Sequence, residues 1–221
     1  MINRVGLLGG TFNPVHLGHI DFGLKIKEAF KLDLIRYILS AKPPHKDIDT
    51  ITDSNLRLQM LDIALENQDG LISCDIELKR EKPSYTIDTI KELKENFPTE
   101  EHYFIIGSDS FLKIETWKNY IDLLKMISFI VVFRKESHRE KVINLLEKID
   151  IKYDDSWFNG KKIAKRKIND KKVFFYSYHS DKLSFSSTIV REKIKNGENI
   201  KYLVNPDVID IIKGNNLYGN K

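Results

Sequence analysis

Two histidines three residues apart, His16 and His19, close the stretch Gly9-Gly10-Thr11-Phe12-Asn13-Pro14-Val15-His16-Leu17-Gly18-His19. At the start of a helix such a pair shares one side, and Gly18 would leave a gap between the rings, so that two imidazole donors could flank one phosphate. Gly9 and Gly10 let the backbone approach an oxyanion closely, and the helix that follows offers unpaired N–H groups carrying partial positive charge. The same spacing would suit a metal, but zinc wants further Cys, His or acidic ligands close by, and nearby Asp21 is a weak candidate. The glycines match neither a G-x-G-x-x-G fingerprint nor a Walker A loop, which disfavours a dehydrogenase or a P-loop enzyme.

Ser186-Ser187-Thr188, with Arg191 one turn later, is a second candidate for holding phosphate. One hydroxyl caps a helix, and three in a row exceed what a cap requires. The surplus hydroxyls of Ser187 and Thr188, the helix dipole and Arg191 would bind phosphates. Lys46 and Arg134 add cationic groups, Lys46 beside His45 in a loop stiffened by Pro43-Pro44.

The elements that must position these groups alternate short apolar runs with longer amphipathic ones, the pattern of repeated strand-helix units. Strands are expected at Arg4–Leu8, Leu34–Leu39, Leu71–Ile76, Tyr103–Ile106, Ser128–Phe133 and Val173–Tyr178. Helices are expected at Gly18–Phe30, Leu56–Leu65, Ile87–Asn96, Trp117–Lys125, His138–Lys148, Ser186–Lys195 and Asp207–Lys213. Ala41–Thr52 reads as a long loop, and Asp154–Asp170 carries no assignment. In an open parallel sheet ligands gather at the carboxyl ends of strands, which is where Gly9–His19 and the Gly107-Ser108-Asp109 turn fall. The expected fold is α/β, a doubly wound parallel sheet in one domain over 1–221, with a core at 1–183 and a small C-terminal helical portion at 184–221.

The 221 residues are 41% hydrophobic, with 36 basic against 32 acidic side chains and a net charge of +4. That length would bury roughly 70% of the unfolded surface. The near balance of charge permits anionic ligands without demanding a nucleic acid. Cys74 is the single cysteine, so no intrachain disulfide framework exists, which suits a reducing compartment. No apolar run reaches membrane-spanning length, and the N-terminal run meets Gly9-Gly10 too soon for a signal peptide. A cytoplasmic protein without a membrane partner is expected.

Gly9–His19 resembles the H-x-G-H motif of nucleotidyltransferases, and the chain as a whole is similar to the bacterial nicotinate-nucleotide adenylyltransferase family. The likeness runs through Pro43-Pro44-His45-Lys46, Ser84-Tyr85-Thr86-Ile87-Asp88-Thr89, Ile106-Gly107-Ser108-Asp109, Thr116-Trp117, Val131-Val132-Phe133-Arg134 and Ser186-Ser187-Thr188-Ile189-Val190-Arg191. It implies a Rossmann-like fold and transfer of the adenylyl group of ATP to nicotinate mononucleotide, releasing pyrophosphate, with Mg2+ carried by the ATP phosphates and no protein-held metal. It implies catalytic roles for His16, His19, Lys46 and Arg191. ATP contacts would come from Gly9, Gly10, Thr11, Phe12, Gly18, Gly107, Asp109, Arg134, Ser187 and Thr188. Nicotinate mononucleotide would meet Asn13, His45, Ser84, Tyr85, Thr86 and Trp117, the indole stacking on the pyridine and helix N–H groups receiving its carboxylate. Asn13 stands where many members have Asp, a variation the mechanism tolerates.

The attacking phosphate, with a second pKa of about 6, is largely ionised at neutral pH and needs no general base. What it needs is alignment and neutralisation of charge. Within the superfamily the alternative is an adenylyltransferase or cytidylyltransferase acting on another phosphorylated acceptor such as phosphopantetheine. Such enzymes commonly have Thr for the first histidine and lack the Ser84–Thr86 and Trp117 elements. A remote alternative is a nucleic-acid-binding module using the basic run at 161–172 with Trp157, Phe158 and Tyr176. A third is an inactive nucleotide sensor, against which intact His16, His19 and Arg191 argue. A homo-oligomer is compatible with the sequence.

Overall fold

The computed structural model describes residues 3–41, 51–80, 83–135, 137–149, 153–158, 161–168 and 171–219. Most of the expected long loop, with His45 and Lys46, lies outside the described residues. The chain divides into two compact units. One comprises Met1–Leu8, Ala29–Asp33 and Tyr85–His179, the other Gly9–Glu28, Leu34–Ser84 and Ser180–Lys221.

In the first unit, residues 4–8 of β1 (Arg4–Gly10) run parallel to β4 (Glu101–Gly107), with Arg4 opposite Glu101 and Leu8 opposite Ile105. β4 pairs in parallel with β5 (Ser128–Phe133), and β5 with β8 (Lys171–Ser177). All six residues of β5 are buried, as in strands covered on both faces. Phe104, Phe111 and Phe129 pack edge to face with centroids 5.6 and 5.8 Å apart, a geometry that adds to the burial of their area. The helices α3 (Thr86–Asn96), α4 (Ser108–Phe111), α5 (Tyr120–Met126) and α6 (His138–Lys148) belong to this unit.

Beyond β8 the order continues through β7 (Lys161–Ile168) to β6 (Tyr153–Phe158), both antiparallel, where the sequence offered no assignment. The reason is that β7 reads Lys-Lys-Ile-Ala-Lys-Arg-Lys-Ile, with charged and apolar residues at both odd and even positions, so no alternation of period two emerges. Lysine-rich sequence near a sheet edge discourages pairing with other chains.

The second unit holds most of α1 (Leu17–Phe30) and the parallel pair β2 (Leu34–Leu39) and β3 (Leu71–Cys74), with Ile35 opposite Leu71. It also holds α2 (Ser54–Leu65), α7 (Ser187–Lys195) and α8 (Pro206–Gly214). Asp53 caps α2 by accepting the N–H groups of Asn55 and Leu56 at 2.9 and 3.3 Å. Asn205 caps α8 with Pro206 just inside the helix, and α2 packs against both α8 and β3.

The six strands β1 to β5 and β8 each have a parallel partner, so the class read from the sequence, parallel α/β with a C-terminal helical portion, is the one observed. One helix starts later than expected. Trp117 is extended and Asn119 is left-handed at φ 50°, so α5 begins at Tyr120 after a 3-10 turn at Ile114–Thr116. Among the described residues no helix is long and apolar enough to cross a membrane.

Candidate active site

β1 ends in Gly10, and the absence of a side chain there is used directly. A Cβ on Gly10 would fall 2.6 Å from Cζ of Phe12, whose ring folds back over the glycine. Phe12 sits in the left-handed region at φ 46°, a strained choice for a bulky residue, and its ring is only 3% exposed. That ring meets His19 edge-on at 5.1 Å and Tyr37 at 5.7 Å. The Tyr37 hydroxyl donates to the His19 carbonyl at 2.9 Å, over Gly23, where a Cβ would collide with the phenol. The loop is thereby clamped at both of its ends.

The two histidines do not stand apart. Their rings stack with centroids 3.7 Å apart and planes 29° from parallel. The His16 main-chain N–H donates to His19 Nδ1 at 3.2 Å, and the His19 N–H donates to the His16 carbonyl at 2.8 Å. Because Nδ1 of His19 accepts, the neutral ring carries its proton on Nε2, which is then the donor nitrogen of the ring. His16 is buried, whereas His19 is half-buried. Gly18 makes room for the His16 ring rather than separating the pair: a Cβ there would lie 3.0 Å from both His16 Nδ1 and Phe185 Cβ.

α7 is stitched to the same loop. Ser186 is the cap, accepting the Ile189 N–H at 3.2 Å. Ser187 donates its hydroxyl to the Pro14 carbonyl at 2.8 Å, and Arg191 Nη1 donates to the Asn13 carbonyl at 2.7 Å. Arg191 Nη2 reaches Thr188 Oγ1 at 3.4 Å. So the hydroxyl run read as surplus is largely engaged: Ser186 in capping, Ser187 in holding the Asn13-Pro14 turn. An arginine has five donors, which leaves Arg191 further N–H groups for an anion.

Asn13 is 5% exposed, and its Oδ1 accepts the Tyr218 hydroxyl at 2.9 Å and the Thr52 N–H at 3.3 Å. Beneath the loop lies Arg57, 1% exposed, whose guanidinium donates to the carbonyls of Thr52, Thr11, Ser40 and Ala41 at 2.8, 2.9, 2.9 and 3.3 Å. Burial pushes its pKa down, against the raising influence of Tyr218 and Asp53. Burial pushes the Tyr218 phenol up to about 12, while a hydrogen bond with the Thr52 side chain and the charges of Arg191 and Arg57 pull the other way.

Gly107, Asp109, Arg134, Tyr85, Thr86 and Trp117 belong to the first unit. Gly107 ends β4 beside Val132 of β5, and a Cβ on it would fall 2.5 Å from Asp109 Oδ1, so the carboxylate folds back over the glycine. Ser108 Oγ and His138 Nδ1 are 3.1 Å apart. Arg134, exposed, follows β5. Tyr85 precedes α3 without capping it by its side chain and is 44% exposed. Lys118 Nζ lies 4.6 Å from the Tyr85 ring centroid and pairs with Asp88 at 2.9 Å. Trp117 is half-buried, edge-on to Phe104 at 6.1 Å. Ser84 belongs to the second unit, and its buried Oγ has no hydrogen-bond partner among the described residues.

Residues 7–193 match the family described as cytidylyltransferase-like. Over 217 residues the chain is 32% identical to a Clostridium novyi (strain NT) protein named "Probable nicotinate-nucleotide adenylyltransferase", covering 98% of this chain and 100% of that one. A protein of the same name from Oceanobacillus iheyensis is 34% identical over 218 residues, covering 99% and 98%. The chain belongs to the cytidylyltransferase-like nucleotidyltransferases. Its fold is also that of the Plasmodium falciparum nicotinic acid mononucleotide adenylyltransferase solved in complex with NaAD. That match has a TM-score of 0.71 and 21% identity, and covers 98% of this chain and 97% of that one. The same Plasmodium falciparum enzyme in complex with APC matches with a TM-score of 0.69 and 21% identity, at the same coverage.

As a nucleotidyltransferase the chain carries groups that the sequence did not single out. Arg57 and Tyr37 fall inside an expected helix and an expected strand whose patterns mark neither residue for chemistry, and Tyr218 lies behind the last helix, where no periodicity speaks for it. Among the described residues no group of three or more His, Cys, Asp or Glu side chains could hold a metal ion.

Proposed function

We propose that this nucleotidyltransferase transfers the adenylyl group of ATP to nicotinate mononucleotide, giving nicotinate adenine dinucleotide and pyrophosphate. The observation that carries the reading is the tie between the two candidate phosphate-holding elements: Arg191 of α7 donates to the Asn13 carbonyl within the loop that presents the His16–His19 pair. The curated relatives named as nicotinate-nucleotide adenylyltransferases over nearly their whole lengths support the choice of acceptor.

A mononucleotide phosphate oxygen attacks the α-phosphorus of ATP, a new P–O bond forms, and the bond to the β-phosphate oxygen breaks to release pyrophosphate. The dianion is nucleophilic as it stands, so catalysis is alignment and stabilisation of charge. His19 Nε2–H and the remaining N–H groups of Arg191 are the donors, with Lys46 a further cation. His16 supports the stack. Gly9, Gly10, Thr11, Phe12 and Gly18 shape the loop around ATP, with Ser187 and Thr188 holding its far side. Gly107, Asp109 and Arg134 serve the adenosine, and Asn13, His45, Ser84, Tyr85, Thr86 and Trp117 serve the mononucleotide. Mg2+ enters with ATP as part of the substrate. Residues 1–221 act as one catalytic domain, with 184–221 contributing Arg191, in the cytoplasm, without a nucleic-acid partner; the basic run at 161–172 has no role in this reading.

The test is pyrophosphate release from MgATP with nicotinate mononucleotide, nicotinamide mononucleotide or phosphopantetheine. The expected result is efficient release with the acid, much less with the amide, and none with phosphopantetheine. Equal rates with acid and amide would overturn the acceptor, and turnover of phosphopantetheine alone would transfer the assignment to that class.

A further inference from the structure

Asn13 is held at two of its atoms by residues far apart in the chain. Its side-chain oxygen receives the Tyr218 hydroxyl at 2.9 Å and the Thr52 amide at 3.3 Å, while its main-chain oxygen receives Arg191 at 2.7 Å. Tyr218 lies beyond α8, in the left-handed region at φ 65°, a conformation in which a bulky residue is an outlier. Outliers of this kind persist where their surroundings over-determine them, and they cluster at functional sites. Here the bend turns the phenol inward among Asn13, Thr52, Arg57 and Arg191 instead of leaving it in solvent. The ring is not needed to fill the core of α8, whose apolar side is supplied by Val208, Ile209 and Ile212.

We propose that Tyr218 is a positioning residue for adenylyl transfer: its hydroxyl fixes Asn13, and Asn13 in turn holds Arg191 and the His16–His19 loop in the arrangement that meets the reacting phosphates. The proposal rests on the adenylyl-transfer reading. Tyr218 touches no substrate in this scheme; it acts through Asn13. Donors displaced slightly lose more in the transition state, where charge is greatest and geometry most exacting, than in the ground state. The loss therefore falls on kcat.

The test is Tyr218→Phe, which removes one O–H and keeps the ring. In steady-state formation of nicotinate adenine dinucleotide, kcat is expected to fall by about tenfold or more, with KM for each substrate within roughly threefold of wild type. Asn13→Ala should remove most of the further effect, so that the double variant is no slower than Asn13→Ala alone. Independently of turnover, hydrogen exchange on the substrate-free protein should be faster in Tyr218→Phe at residues 11–13 and 15–17. Wild-type turnover matched within twofold by Tyr218→Phe, or losses that multiply in the double variant, overturn the positioning role and leave adenylyl transfer standing. If wild type makes no dinucleotide, that reading fails by itself; the exchange comparison then decides Tyr218, and unchanged exchange overturns it.

Discussion

The His16 main-chain N–H points at Nδ1 of His19, 3.2 Å away, while the two rings stack at 3.7 Å. One hydrogen bond thus settles which nitrogen of His19 is the donor. Amide mimics of the ring separate its two nitrogens: Asn places a polar atom near Nδ1, and Gln places an N–H near Nε2. His19→Gln should keep more activity than His19→Asn, and His19→Ala should lose about 10²–10³ in kcat, the size of one transition-state donor. Steady-state rates of pyrophosphate release for the three variants check the order; parity of Gln and Asn would contradict the assignment of Nε2.

Gly18 is the space occupied by His16. A Cβ at 3.0 Å from His16 Nδ1 on one side and Phe185 Cβ on the other must push one of them away. Alanine is otherwise a better helix former than glycine by about 1 kcal/mol, and position 18 lies in the first turn of α1. Gly18→Ala should therefore cost activity far more than stability, with kcat/KM down at least about tenfold, as misplaced groups typically do, and a melting temperature close to wild type. A variant as active as wild type would show that the His16 ring can shift without consequence.

Sequence made the loop legible because glycines, the Asn-Pro turn and two histidines fall where a strand gives way to a helix, and each of these has a local cause. Capping was legible for the same reason at Ser186. What could not be read locally is where the hydroxyls and cations go once distant segments meet. Ser187, a candidate phosphate ligand by type, spends its proton on the Pro14 carbonyl 173 residues away. Arg57 draws its four acceptors from Thr11, Ser40, Ala41 and Thr52, and only their convergence makes a charged helix residue a buried one. Tyr218 is separated by 205 residues from the oxygen it binds.

Arg57 supplies a direct measure of that convergence. Replacing it by Met fills similar space but leaves four carbonyl groups without their donor, and each such loss costs about 1–3 kcal/mol when buried. Arg57→Met should unfold in urea with at least about 3 kcal/mol less stability, as for a buried charged group whose network is broken. Arg57→Lys, which keeps the charge but not the planar fork, should fall between the two. A stability for Arg57→Met within 1 kcal/mol of wild type would mean that other donors replace the guanidinium.

Tyr218 gives the fold a dependence on alkaline pH with a definite direction. Its phenol titrates near 10 in an unfolded chain and at about 12 in the folded protein, chiefly because burial opposes the phenolate. Below pH 10 the group is protonated in both states and its contribution is complete. Between pH 10 and 12 the unfolded chain loses the proton first, which favours unfolding, and the contribution disappears as the folded phenol ionises in turn. The two-unit difference corresponds to roughly 2–3 kcal/mol. Many lysines and tyrosines titrate in the same window, so the quantity to follow is the difference between wild type and Tyr218→Phe in urea unfolding at each pH. That difference should be constant up to pH 10 and shift against wild type by roughly 2–3 kcal/mol by pH 12. Parallel stability curves for the two proteins across that range would place the Tyr218 hydroxyl in solvent and separate it from Asn13.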